Sequence, residues 1–90
     1  MKDMAMRVDG NAMAGTLGEV FIHDMTMARI ACGGCGEAEP IGAEHVYMRA
    51  PGIVLRCRHC EAVLLVVTQP PGRTLLAFPR SRWIEIAAEA

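Results

Sequence analysis

All the cysteine in the chain lies in two C-x-x-C pairs, Cys32-Gly33-Gly34-Cys35 and Cys57-Arg58-His59-Cys60, with 21 residues between them. Few features restrict a fold as strongly. Each pair places two sulfurs on the same side of a tight turn, and a hairpin of the intervening length returns the chain so that the second pair completes a tetrahedron. This is close to the spacing of a four-cysteine zinc site. Gly33, Gly34 and Gly36 relax steric limits around the first turn. Gly36 directly follows the second cysteine, where such turns favour a residue tolerant of positive φ; Glu61 holds the same place in the second pair. Four sulfurs leave the ion no open position for water or substrate, so a single structural Zn²⁺ is expected. Iron in the same tetrahedral S₄ cage is the alternative. A dithiol redox centre would need one reactive C-x-x-C at a helix start, whereas both pairs lie among strand and turn signals.

Ninety residues make a single domain, 1–90, and a chain of that size buries only roughly 60–65% of the surface its unfolded form exposes. Structural zinc contributes roughly 10–16 kcal/mol in small peptides, against a net domain stability of about 5–15 kcal/mol. A bound ion can therefore decide whether the chain folds. With 52% hydrophobic but only 4% aromatic residues, the core must be built from Leu, Ile, Val, Ala and Met.

Residues 1–8 read as a flexible start, and Asp9 as the cap of a helix over 9–22 that places Met13, Leu17, Val20 and Phe21 on one face. Gly15 and Gly18 weaken that helix by up to about 1 kcal/mol each. Asp24 and Thr26 turn the chain through side-chain to backbone bonds. Residues 29–87 then read as the ribbon and its hairpins. "EHVYMRA" (44–50) alternates, with Val46 and Met48 on one face and His45, Tyr47 and Arg49 on the other. Pro51-Gly52 suits the central positions of a type II turn. "AVLLVVT" (62–68) is apolar on both sides of the pleat, as a central strand would be, and "QPPGR" (69–73), "TLLAF" (74–78) and "RWIEIA" (82–87) supply a turn and two further strands. The expected fold is small α+β: an N-terminal helix followed by a β-rich zinc ribbon of antiparallel hairpins.

The formal net charge of −1 hides an uneven distribution, −4 over residues 1–48 and +5 over residues 49–82. The basic segment carries Arg49, Arg56, Arg58, Arg73, Arg80 and Arg82, candidates for anion or nucleic-acid contact; solvated strand ends are the commoner origin of such a pattern. Arg56 and Arg58 flank Cys57 and can offset the −2 of four thiolates around Zn²⁺. His59 is an exposed turn residue, since the cysteines already fill the tetrahedron. His23, His45 and Ser81 belong to no catalytic constellation, and Tyr47 and Trp83 are separated aromatics of the kind used in packing. No secretory signal is seen in "MKDMAMRVDG", and the longest apolar run, Ala62–Val67, is far below the roughly 18 residues of a spanning helix. The expected location is the cytoplasm, where paired cysteines point to metal before disulfide.

Together "DGNAMAGTLGEVF", "DMT", "CGGCG" and "VYMRAPGIVLRCRHCEAVLL" resemble a family of short bacterial zinc-ribbon-like proteins catalogued as a domain of unknown function. The resemblance implies that Cys32, Cys35, Cys57 and Cys60 are metal ligands. The expected function is a non-enzymatic Cys₄ zinc-binding module that mediates protein–protein interaction or self-association, with no small-molecule substrate and no membrane. Two alternatives are a nucleic-acid-binding ribbon using the 49–82 segment and an iron-thiolate electron carrier.

Overall fold

A computed structural model describes residues 6–18, 24–49 and 52–87. Among the described residues, eight strands form two antiparallel sheets. The five-stranded sheet has the order β1 (Met6–Asp9), β4 (His45–Arg49), β5 (Gly52–Arg56), β6 (Val63–Thr68), β7 (Leu75–Ala77). The three-stranded sheet has the order β3 (Ala38–Pro40), β2 (Arg29–Cys32), β8 (Ser81–Glu85). The arrangement is α+β, with one short α-helix among the described residues.

The flexible start expected through residue 8 gives way to a strand from Met6, because Met6–Asp9 pair residue for residue with Met48–His45. The helix is thus not the first element. Asp9 ends β1 and caps the next turn, its carboxylate accepting from the Asn11 amide at 3.1 Å. That 3₁₀ turn (Gly10–Met13) leads into α1 (Ala14–Gly18). Met13 and Leu17 are buried as the periodicity requires; Val20 and Phe21 lie outside the described residues. Asp24 accepts from both the amide and the hydroxyl of Thr26 (3.1 and 2.6 Å), and so turns the chain into the 3₁₀ segment Met25–Met27.

Gly52 is a strand residue and not a central turn residue of the β4–β5 hairpin. It is already in β5, opposite Arg49 and Thr68; Pro51 lies outside the described residues. The Pro-Gly turn occurs instead at Pro71-Gly72, where Gly72 has φ +82° and the Arg73 amide donates to the Pro70 carbonyl at 3.1 Å. β6 is an interior strand of its sheet, as its apolar sequence implies, and Leu64, Leu65 and Val67 are buried. They pack with Met13, Leu17, Ile30, Ile41, Val46 and Leu55 in one core, which also contains Cys32 and Cys57. The first cysteine of each pair is therefore anchored in the core while its partner, Cys35 or Cys60, is exposed.

Candidate metal centre

The two cysteine turns are built alike, hydrogen bond for hydrogen bond. In the first, the Gly36 amide donates to the Cys32 carbonyl (3.0 Å), the Cys32 amide to the Glu37 carbonyl (2.9 Å), and the Gly34 amide to the Cys32 sulfur (3.3 Å). In the second, the Glu61 amide donates to the Cys57 carbonyl (2.8 Å), the Cys57 amide to the Ala62 carbonyl (2.9 Å), and the His59 amide to the Cys57 sulfur (3.4 Å). Both turns close through a residue of positive φ, Gly36 at +85° and Glu61 at +65°. For Glu61 this costs about 1–2 kcal/mol that glycine avoids.

The four sulfurs lie within 4.8 Å of one another, with Cys32–Cys60 and Cys35–Cys57 at 3.6 Å. A tetrahedral thiolate-bound ion with metal–sulfur bonds of about 2.3 Å requires sulfurs about 3.8 Å apart. The group fits a metal ion in donor chemistry, number and spacing. Proton affinities in it are uneven. Burial pushes the Cys32 thiol up, but the amides of Cys35 and Gly34 together with the sulfurs of Cys60 and Cys35 outweigh it and bring the thiol down to about 7; burial drives the Cys57 thiol up to about 12 against the amides of His59 and Cys60. A cation must displace protons from such sulfurs, so binding strengthens as pH rises.

The amide next after the leading cysteine points out of each turn and is satisfied differently in the two. The Gly33 amide donates to the Arg80 carbonyl at 2.6 Å, and the Arg80 amide donates in turn to Val63 of β6 at 3.0 Å. Residue 80 thereby ties the first turn to the larger sheet. A Cβ on Gly33 would stand 2.8 Å from that carbonyl oxygen, which explains the glycine. The Arg58 amide instead donates to Oε1 of Glu44 at 2.8 Å. Glu44 has no solvent exposure, and its other oxygen, Oε2, has no hydrogen-bond partner. Burial lifts this carboxyl above its ordinary range, with the Arg58 amide partly opposing the rise. Sequence reasoning missed Glu44, since an acid at a strand start carries no local sign of burial.

Glu61 likewise does more than close its turn. His45 Nδ1 is 2.8 Å from its Oε2, the Tyr47 hydroxyl donates to its Oε1 at 2.9 Å, and Arg56 donates to its carbonyl at 2.9 Å while lying 5.6 Å from the Tyr47 ring centroid. Burial raises the Glu61 carboxyl, but the bonds from His45 and Tyr47 dominate and hold it below the usual range. Arg56 thus braces the back of the second turn. His59 is exposed, as expected, and pairs with Glu39 (Nε2–Oε2 2.8 Å); Glu37 completes a second, mostly exposed group with them.

The arginines of the basic segment lie on several elements. Arg56 is committed as described, Arg58 projects from the second turn, and Arg73 lies in the β6–β7 turn. Arg80 and Arg82 flank the first turn, near Gly34 and Gly33; of Arg49 only the backbone is described. No helix among the described residues is long and apolar enough to cross a membrane. No curated protein and no solved structure shows a significant match to the chain. A family model described as "Family of unknown function (DUF6510)" matches residues 3–89. Since that match spans nearly the whole sequence, cysteine pairs included, the chain belongs to this family.

Proposed function

We propose that the protein is a non-enzymatic zinc-ribbon module in which one structural Zn²⁺ on Cys32, Cys35, Cys57 and Cys60 fastens the smaller sheet to the larger, giving a rigid surface to a protein partner or a second copy. The observation that carries this reading is the duplicated turn, with its two sulfur–sulfur distances of 3.6 Å. Four thiolates leave the ion no open coordination position, which supports a structural role over a catalytic one. The two leading cysteines stand in the hydrophobic core, so the ion would stabilise the packing between sheets and not a peripheral loop. Reduced thiols in this number suit the cytoplasm.

Elemental analysis of protein purified without added metal tests the assignment. One zinc per chain and a colourless solution are expected. Iron, with visible thiolate-to-metal absorption, would replace this reading with electron transfer. Light scattering and pull-down test the interaction role, and a strictly monomeric protein without a partner would count against it. A second reading, nucleic-acid binding, draws on Arg58, Arg73, Arg80 and Arg82, which have no ion-pair partner among the described residues. It requires affinity that falls steeply with salt.

A further inference from the structure

β8 is an edge strand. It pairs with β2 on one side, Ile30 opposite Ile84 and Ala31 opposite Trp83, and with no other strand among the described residues. A groove of about 290 Å³ is lined by Ser81, Arg82, Trp83 and Ile84 together with Phe78. Successive side chains of a strand point to opposite faces, so a cavity touched by four consecutive residues runs along the strand's edge and not over one face. Trp83 and Phe78 remain 47% and 41% exposed. Arg82 is the charged residue in that lining, and Arg80 precedes it by two positions. Between Glu61 and Glu85 the chain carries Arg73, Arg80 and Arg82 and no acid, and Arg80 and Arg82 have no ion-pair partner among the described residues. Glu85, at the far end of β8, is 4.0 Å from Arg29.

We propose that the β8 edge is a docking site for an extended acidic peptide, which adds as a further strand beside Ser81–Glu85, sets apolar side chains against Trp83 and Phe78, and places carboxylates at Arg80 and Arg82. This names the kind of partner for the interaction role proposed above and rests on that reading. The unpaired edge favours a peptide over a nucleic acid. An unpaired strand edge offers alternating amide and carbonyl groups that a peptide backbone matches in full, whereas a phosphodiester chain has no donors to return. The guanidinium of Arg80 lies beside Gly34 in the first cysteine turn, where a Cβ would come within 3.4 Å of Nη2.

Trp83 is the only tryptophan in the chain, so its fluorescence reports on the groove directly. Metal-loaded protein would be titrated with a short capped peptide of alternating Glu and Val, its Lys/Val counterpart and an oligothymidylate of equal length, and amide hydrogen exchange followed across β8. The expected result is a Trp83 shift with the Glu/Val peptide, binding at least about tenfold weaker for the Lys/Val peptide, equivalent to about 1.4 kcal/mol, and slowed exchange at residues 81–85. Arg82→Glu should reverse the preference between the peptides at unchanged metal content. Absence of any shift at millimolar peptide, equal response to both peptides, or tighter binding of the oligothymidylate would overturn the proposal. Zinc stoichiometry, measured on the same samples, separates that failure from failure of the metal assignment.

Discussion

Glu44 is the sharpest test of how the second cysteine turn is held. Its Oε1 accepts from the Arg58 amide at 2.8 Å, while Oε2 is buried without a partner. Glu44→Ala removes the acceptor and leaves that amide without its bond, a cost of about 1–3 kcal/mol, and one lost buried methylene adds about 0.8 kcal/mol. Relief of the unpartnered oxygen offsets part of this. A net loss of about 1–3 kcal/mol is expected, read as denaturant stability at fixed free zinc, together with faster transfer of zinc to a chromophoric chelator. Glu44→Gln keeps an acceptor for Arg58 and removes the charge. Burial raises the Glu44 carboxyl in the fold, so the native state holds this proton more tightly than the unfolded chain does. Its contribution is full below the ordinary carboxylate pKa, and it is lost as pH rises through the raised folded value. The stability of wild type relative to Gln should accordingly fall as pH rises across that window and level off above it. Subtracting the two proteins at each pH cancels the separate strengthening of zinc binding with pH. A Glu44→Ala protein within about 0.5 kcal/mol of wild type, with unchanged zinc release, would refute the reasoning.

On the proposed ligation, Cys57→Ser should abolish stoichiometric metal and unfold the chain at ambient temperature, read by elemental analysis and circular dichroism, because it removes a proposed ligand that stands in the core. Metal affinity measured by chelator competition should fall as pH is lowered, since protons and the ion compete for the same sulfurs; a flat profile would exclude thiolate ligation. Gly36→Ala, at φ +85° with open space around it, should cost about 1–2 kcal/mol from backbone conformation alone. Gly33→Ala places a Cβ 2.8 Å from the Arg80 carbonyl and should disturb the tie to β6 as well, giving faster amide exchange at Arg80.

The four-cysteine cluster and its local geometry were legible because a C-x-x-C turn is a short-range object. Spacing alone brings two sulfurs to one side, and a positive-φ position comes from closing the turn. Alternation in "EHVYMRA" likewise identified β4, and the doubly apolar "VLLVV" an interior strand. Less was legible wherever one segment's role depends on a distant one. Met6–Asp9 is a strand because β4 presents an edge to it, and β8 joins β2 and not the neighbouring β7. Pro51-Gly52 has the composition of a type II turn, yet its glycine is drawn into β5 by pairing on both sides. Glu44 and Glu61 are ordinary acids by local composition, but tertiary packing makes one a buried acceptor and the other a shared partner of His45 and Tyr47.

By itself, then, the sequence determined which atoms can hold an ion and how each pair of them is shaped, since those depend on covalent spacing and backbone sterics over a few residues. Only the tertiary structure decided which carboxylate and which carbonyl fasten each turn, and which strand is left with an open edge. Those choices come from burial and hydrogen-bond satisfaction between segments tens of residues apart, where no local pattern carries the information.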